Sequence, residues 1–278
     1  MNLIVIIESA EFRFKQILED FFISIYDEKS LTSHGIDHHR RVWEYSKELT
    51  LLMEKYNLIK DSSIPFQLII ACYLHDIGMS VDTGMKHGHH SRSLCIRFLR
   101  KNQIEESEYR DALFAIENHD NKEYRISAGE NDLLTILSVA DDLDAFGFIG
   151  IYRYIEIYIV RGIKPHKLGH LIRNNARKRF VNFSKSFAFS EETVRKHKKR
   201  FDILENFFTG YNKQVTTYQF GGKHPSGYCG VAEEFIAMSG NKTSLKDFMK
   251  DTANYSHDPL IRWFFDGLAL ELPAEHNQ

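Results

Sequence analysis

A histidine and an aspartate stand side by side at the end of an apolar run, in the segment YLHDIGM. The run before this pair, SIPFQLIIACYL, is typical of a buried helix, so His75 and Asp76 are expected to be buried with it. Burying two ionisable side chains costs several kcal/mol unless another group compensates. A metal ion held by both side chains would supply that compensation.

Two further groups of ionisable residues stand on predicted helices. One comes at the start of an amphipathic helix and the other late in an apolar helix: His34, His38 and His39 in SHGIDHHRRVWEYSKEL, and Asp141, Asp142 and Asp144 in SVADDLDAFG. A bundle that brings these helices to the His-Asp pair would offer two imidazole nitrogens and two carboxylate oxygens to one ion. Such a mixed site suits Mn²⁺, Fe²⁺, Zn²⁺, Co²⁺ or, less readily, Mg²⁺.

Helical periodicity dominates the chain and predicts an all-α protein. Apolar residues recur at helical spacing over 11–25, 38–56, 64–77, 91–100, 108–119, 132–146, 191–211 and 260–270. The segment 148–160 is rich in β-branched and aromatic residues that would also suit a strand, and we expect a helix there. A Gly and a Pro interrupt the pattern at 161–170. The sequence therefore predicts domains at 1–162 and 163–278, the second a helical extension of unknown role.

The bulk composition is that of an ordinary globular protein of one or two domains, with 278 residues, 43% of them hydrophobic. No apolar stretch approaches the roughly 20 residues that a membrane helix needs, so we expect a cytoplasmic protein without a membrane partner. The net charge of −2 predicts no general attraction to nucleic acid. Two basic runs, RNNARKR at 173–179 and RKHKKR at 195–200, could attract a polyphosphate or nucleic acid, but we interpret them as solvated helix faces.

Three segments together resemble the HD-domain superfamily of metal-dependent phosphohydrolases, whose pattern is a His, a His-Asp pair and a distant Asp. HGIDHHRRV looks like the family's HDxxHxxRV segment, and CYLHDIG looks like its HD motif. ADDLDAFGFIGIYR is similar to the ADRLDAxGAIGIAR stretch of one bacterial branch of small HD hydrolases. The segments follow the family's order through residues 34–153. The resemblance implies an HD-domain helical bundle with a C-terminal helical extension.

The resemblance also implies roles for individual residues. The implied metal ligands are His38, His75, Asp76 and Asp141. Asp76 is also an implied catalytic residue, because it could orient the attacking water. His34 aligns with the first His of the family's first segment, and Asp144 aligns with the second acidic residue of its last segment. Both are expected beside the ligands or on the substrate side.

The source of positive charge for a substrate phosphate departs from the family pattern. Met79 stands where many HD proteins have a Lys after HDIG. Lys86, Arg92 or Arg153 could take over the contact with substrate. Asp142 replaces an Arg of the branch pattern, which leaves open whether another phosphate contact has been lost.

Two more histidines raise the question of a second ion. His90 in KHGHHSRSLC and His119 in AIENHDN fall where binuclear HD proteins have additional ligands. If they converge with Asp76 as a bridge, the site holds two metals, as in cyclic dinucleotide phosphodiesterases and the mixed-valence di-iron oxygenases of this fold. Otherwise they bind phosphate or position water in a one-metal enzyme. One ion is the primary expectation and two ions are the alternative.

The function implied by the resemblance is hydrolysis of a nucleotide or a related small phosphorylated metabolite, with metal-bound water attacking phosphorus. His34, His90 and His119 are the candidates for proton transfer to the leaving group. Three alternatives stay open: a two-metal phosphodiesterase, a mixed-valence di-iron oxygenase, and a non-catalytic module that senses a nucleotide. The C-terminal half could also form a homo-oligomer or bind a protein partner.

Overall fold

The computed structural model describes residues 2–26, 31–59, 61–121, 132–239, 245, 248–250 and 257–272. Every secondary-structure element within these ranges is a helix, which confirms the predicted all-α class. Two compact units make up the chain, Met1–Asp144 and Ala145–Gln278. Within the described ranges, no helix combines the length and the apolar character needed to span a membrane.

The first unit is built around one apolar helix. Its helices are α1 (Leu3–Ile25), α2 (Ile36–Lys55), α3 (Ile64–Leu74), α4 (His87–Lys101), α5 (Arg110–Asn118) and α6 (Asp132–Asp144). Helix α3 packs against each of the other five. All residues from Leu68 to Leu74 are buried, which explains why this helix is apolar on every side. The burial of α3 carries the His-Asp pair at its C-terminal end into the interior of the unit.

Glu19 of α1 ties together the three N-terminal helices. Its carboxylate accepts hydrogen bonds from Arg40 Nε and Nη2 of α2, at 3.0 and 2.5 Å, and from the Tyr73 hydroxyl of α3 at 3.1 Å. Burial raises the pKa of Glu19, but hydrogen bonds and the charge of Arg40 outweigh burial and leave that pKa below its ordinary value. The contact thus ties α1 to α2 two residues from His38, and to α3 two residues from His75.

The second unit is also helical, and its central helix resolves the ambiguous segment. Its described helices are α7 (Gly147–Val160), α8 (Pro165–Ser186), α9 (Glu191–Gln214), α10 (Gly227–Ser239) and α11 (Pro259–Glu271). Helix α7 is buried from Gly147 to Ile157 and packs against α8, α9, α10 and α11. Its β-branched and aromatic residues therefore fill a helical core and not a sheet. This confirms the helix expected over 148–160.

The compact units divide the chain before α7, whereas the sequence placed a domain boundary after it, at residues 162 and 163. The physical reason is that α7 shares its buried face with the helices that follow it. A functional division into 1–162 and 163–278 stays a prediction. Helix α8 begins well before the helix face predicted at 173–179, because the Pro at its start was interpreted as a break. Pro165 instead occupies the first turn, where the missing N–H costs nothing.

We predict that Glu19→Gln lowers the free energy of unfolding at neutral pH by about 1 kcal/mol. The value is modest because the Arg40 side chain is 42% exposed. Since the pKa of Glu19 is lower in the folded than in the unfolded state, its stabilisation is present above about pH 4.3 and is lost as the pH falls further. Urea denaturation of the wild type and the variant at several pH values measures this effect.

Glu8→Gln is the matched control, since Glu8 is exposed on the same helix. The control should change stability little at any pH. A stability loss in Glu19→Gln that stays constant from neutral to acid pH, or that equals the loss in the control, would contradict the account.

Candidate metal centre

The structure brings together the four side chains that the sequence proposed as metal ligands. His38 lies in the first turn of α2, His75 caps the C-terminus of α3 with Asp76 next to it, and Asp141 lies in the last turn of α6. His38 Nε2 lies 3.2 Å from His75 Nε2, 3.5 Å from Asp76 Oδ2 and 3.7 Å from Asp141 Oδ1. The four side chains are buried, and one donor atom of each lies within 4.8 Å of the others. This spacing suits coordination of a single ion.

Hydrogen bonds fix the tautomers of the two histidines in this group. His38 Nδ1 donates to Asp144 Oδ2 at 2.8 Å, and His75 Nδ1 donates to the Cys72 carbonyl oxygen at 2.9 Å. Because these oxygens only accept, the proton of each neutral ring is on Nδ1 and the lone pair is on Nε2. The two Nε2 lone pairs point toward each other across 3.2 Å and repel. A cation between them relieves the repulsion, so the donor set fits a metal ion.

A second group shares Asp76 with the first. His119 Nε2 lies 3.0 Å and His87 Nε2 lies 3.4 Å from Asp76 Oδ1. Backbone carbonyls again accept from the Nδ1 atoms, that of Ile116 from His119 at 2.7 Å and that of Gly84 from His87 at 2.7 Å. Each ring therefore presents Nε2 to the carboxylate. Asp76, His87 and His119 form a second buried set of donor atoms within 4.8 Å of one another.

The electrostatics of the group favour ligation. Burial raises the pKa of Asp76, but His75, His119 and His38 outweigh burial and hold that pKa well below its ordinary range. Burial lowers the pKa of His75. Burial also acts to lower the pKa of His119, but the hydrogen bond and charge of Asp76 raise it above its ordinary value. Asp76 is thus ionised and His75 neutral, and these are the protonation states that a metal ligand requires.

The sequence proposed His90 for the second group, but the structure brings His87 there instead. Helix α4 begins at His87 and not at Ser91, so a turn that the sequence analysis had left in a loop presents His87 to Asp76. His90 is half-buried, lies almost one turn farther along α4, and belongs to neither group within the described ranges. His90 is therefore not among the donor atoms, and its catalytic role in proton transfer stays a prediction.

Two glycines allow this turn of α4 to approach the centre. A Cβ at Gly88 would lie 2.7 Å from the Glu117 carbonyl oxygen, and a Cβ at Gly78 would lie 2.2 Å from the His87 carbonyl oxygen. The Gly78 amide also donates to the Ser91 hydroxyl at 2.9 Å. Only glycine permits such close backbone approach. The glycines in HDIG and KHGHH are the sequence signal that could have pointed to His87.

His34 and Asp144 both lie next to His38. His34 is buried, shares a hydrogen bond between its Nδ1 and the Ser33 hydroxyl at 2.8 Å, and has its ring centroid 5.5 Å from that of His38. Asp144 is 0% exposed and also accepts from Arg41 Nε and Nη2, at 2.7 and 3.0 Å. Asp144 therefore lies beside the ligand His38, which is one of the two positions expected for it, and its contact with substrate stays a prediction.

The neighbouring His39 and Asp142 have environments of their own. His39 Nδ1 donates to the Cys72 carbonyl oxygen at 3.0 Å, and its ring packs 4.5 Å from that of Phe22. Burial lowers the pKa of His39 well below its ordinary value. His39 thus serves packing between α1, α2 and α3. Asp142 is fully buried, so the position of the family's Arg is filled here by an interior carboxyl group.

The cationic residues proposed for substrate binding lie on different elements and differ in exposure. Lys86 is exposed and directly precedes His87. Arg92 is half-exposed on α4, with Nε 3.3 Å from Glu117 Oε2. Arg153 is buried on α7 and belongs to the second unit, not to the unit that holds both ligand groups. Met79, which replaces the family's Lys, is buried.

Comparison with known protein families matches the segment that contains both ligand groups. The family model of the HD domain matches residues 35–145, less than half of the chain. This range contains every member of both ligand groups: His38, His75, Asp76, His87, His119 and Asp141. Searches of curated proteins and of solved structures gave no match.

We predict that Asp144→Asn weakens binding of Mn²⁺ by about 10-fold to 100-fold, because a neutral amide with a single acceptor oxygen holds the proton on His38 Nδ1 less firmly than the carboxylate does. Isothermal titration calorimetry with Mn²⁺ measures the change. Asp37→Asn is the control, since Asp37 lies in the first turn of the same helix with a side chain that is 54% exposed. Equal Mn²⁺ affinity in the wild type and in Asp144→Asn would show that Asp144 does not position His38.

Proposed function

We propose that this protein, whose residues 35–145 match the HD domain, is a metal-dependent phosphohydrolase in which two ligand groups that share Asp76 would hold two divalent ions. The observation that carries the proposal is that the two oxygens of the Asp76 carboxylate face different ligand groups. Asp76 Oδ2 lies 3.5 Å from His38 Nε2 and 3.4 Å from His75 Nε2. Asp76 Oδ1 faces His87 and His119. Each oxygen thus serves one of the two ligand groups.

The donors indicate which metals suit the proposal. The first position would have His38, His75, Asp76 and Asp141, and the second would have Asp76, His87 and His119. Imidazole nitrogens with carboxylate oxygens favour Mn²⁺, Fe²⁺, Co²⁺ or Zn²⁺ over Mg²⁺. Two such ions supply charge stabilisation for the attacking and leaving oxygens of a phosphate ester and lower the pKa of a water molecule. Binding two ions extends the one-ion expectation drawn from the sequence.

The residues around the ligands have separate tasks in this proposal. Asp144, itself held by Arg41, keeps the proton of His38 on Nδ1 and so directs Nε2 to the centre. His34, next to His38, is the proposed proton donor to the leaving group. Lys86, exposed beside His87, is the proposed partner for an outer phosphate of the substrate. Arg92 contributes less, because Glu117 already neutralises it.

The proposed substrate is a small phosphorylated metabolite, with nucleotides as the first class to test. The ligands are almost completely buried, with Asp76 only 2% exposed. Such depth suits a compact phosphoryl group at the end of a small molecule. A phosphodiester with a narrow linkage would meet the same requirement, so cyclic nucleotides belong in the same panel.

A di-iron oxygenase is the second candidate, and the histidine content of the centre supports it. Four of the donor groups are imidazoles, and this composition suits iron as well as manganese. Oxygen uptake by the iron-loaded protein separates this candidate from a hydrolase, which consumes none.

The experiment compares His87→Ala with His90→Ala, two changes on the same helix. Metal content per chain is measured by mass spectrometry, and phosphate or pyrophosphate release is measured from nucleotides, cyclic nucleotides and phosphate esters with Mn²⁺ or Fe²⁺. We predict that His87→Ala loses one of two ions and more activity than the roughly 100-fold that loss of an outer partner costs. His90→Ala should keep both ions and the wild-type rate.

Several outcomes would overturn the proposal. One ion in the wild type, or equal effects of the two substitutions, would exclude the bridged pair. Two bound ions without phosphate release from any compound in the panel, together with oxygen uptake, would favour the oxygenase.

A further inference from the structure

Helix α8 of the second unit has an unusual charge composition. Its sequence, PHKLGHLIRNNARKRFVNFSKS, contains six Lys or Arg residues and two His, and no Asp or Glu. Within a protein whose net charge is −2, such a helix is a strong local concentration of positive charge. Part of this charge is neutralised by α9, where Glu205 accepts from Arg173 and Arg177.

Three lysines of α8 form a row along its solvent face. Lys167, Lys178 and Lys185 are separated by 11 and 7 residues, close to three and two helical turns, so they share one face. The row is about 27 Å long at 1.5 Å per residue. All three are exposed, and none is in an ion pair with any residue that the structure describes. The buried face of α8 lies opposite and consists of Leu168, Gly169, Ile172, Ala176 and Phe183.

We propose that this row, which we call the lysine row, binds the phosphate backbone of duplex nucleic acid. A straight series of unneutralised cations over about 27 Å matches a linear array of phosphates better than it matches a compact anion. Exposed His170 and Asn174 lie between the lysines and supply hydrogen-bond donors to phosphate oxygens. Such contacts carry no base readout, so binding is independent of sequence.

The other residues of the exposed face favour a duplex over single-stranded nucleic acid and over an anionic membrane surface as the partner. No aromatic side chain stands with the lysines on this face, so unpaired bases have no platform on which to stack. The exposed large apolar residues of α8 are only Leu171 and Val181, 40% and 50% exposed. A helix that inserts into an anionic membrane surface needs a continuous apolar face with Trp, Phe or Leu. The lysine row is flanked by too little apolar surface for that.

This inference revises the expectation from sequence that nucleic acid is not a partner. That expectation rested on the overall charge and on reading RNNARKR as a solvated face. The structure shows that Arg173 and Arg177 of this run share one ion-pair partner, Glu205, whereas none of the residues that the structure describes pairs with Lys167, Lys178 or Lys185.

The test is fluorescence anisotropy of the full chain with a labelled duplex of about 20 base pairs, which exceeds the row at about 3.4 Å per base pair. A denaturing gel of the duplex after each titration shows whether it stays intact, so that hydrolysis is not mistaken for a change in binding. The variant is the triple change Lys167→Gln, Lys178→Gln and Lys185→Gln. A charge-matched control changes three exposed cations of the first unit, Lys15, Lys101 and Arg110, to Gln.

We expect the wild type to bind the duplex. The slope of the logarithm of the binding constant against the logarithm of the KCl concentration should become shallower by about 2 to 3 in the triple variant. The control should keep the wild-type slope, and replacing the same three lysines by Arg should preserve binding. Equal unfolding temperatures of the variants show that the fold is retained. Absence of salt-dependent duplex binding in the wild type, or equal loss in variant and control, would overturn the proposal. Binding to phosphatidylserine vesicles without duplex binding would also overturn it.

Discussion

The central constraint on the first unit is that four imidazole rings direct their Nε2 atoms at one buried carboxylate. Four histidines each donate an Nδ1 proton to an oxygen acceptor: His38, His75, His87 and His119. All four therefore direct Nε2 toward Asp76. A folded chain tolerates so many lone pairs in its interior only if positive charge is present among them, as protons or as metal ions. Bound ions would account for both the histidine arrangement and the burial.

The helices of this unit can be understood as the means of bringing these atoms together. The apolar helix α3 is buried on every side, so its C-terminal end places His75 and Asp76 in the interior. Gly78 and Gly88 permit α4 to come close enough for His87 to reach the same carboxylate. Asp144 at the end of α6 holds His38 from behind, and Arg41 offsets the charge of that carboxylate. Packing, backbone approach and electrostatics thus act on the same few atoms.

Much of this arrangement follows from the sequence, and the exceptions have physical causes. The apolar periodicity suffices for the all-α class, and the spacing of His and Asp points to a metal site on three helices. The resemblance to the HD superfamily was needed to choose His38, His75, Asp76 and Asp141 among the candidates. His87 was missed because the first turn of α4 is polar and has no apolar periodicity, so it looked like a loop. Sequence spacing alone could not show that Asp144 accepts a hydrogen bond from His38, since that contact depends on how α6 packs against α2.

The most direct test of the shared carboxylate is a crystal structure of the protein grown with Mn²⁺, with anomalous scattering recorded at the manganese absorption edge. The account predicts two anomalous peaks about 3.5 to 4 Å apart. One peak should be bound by His38, His75 and Asp141, and the other by His87 and His119, with Asp76 between them. A single peak, or two peaks that do not share Asp76, would contradict the central claim.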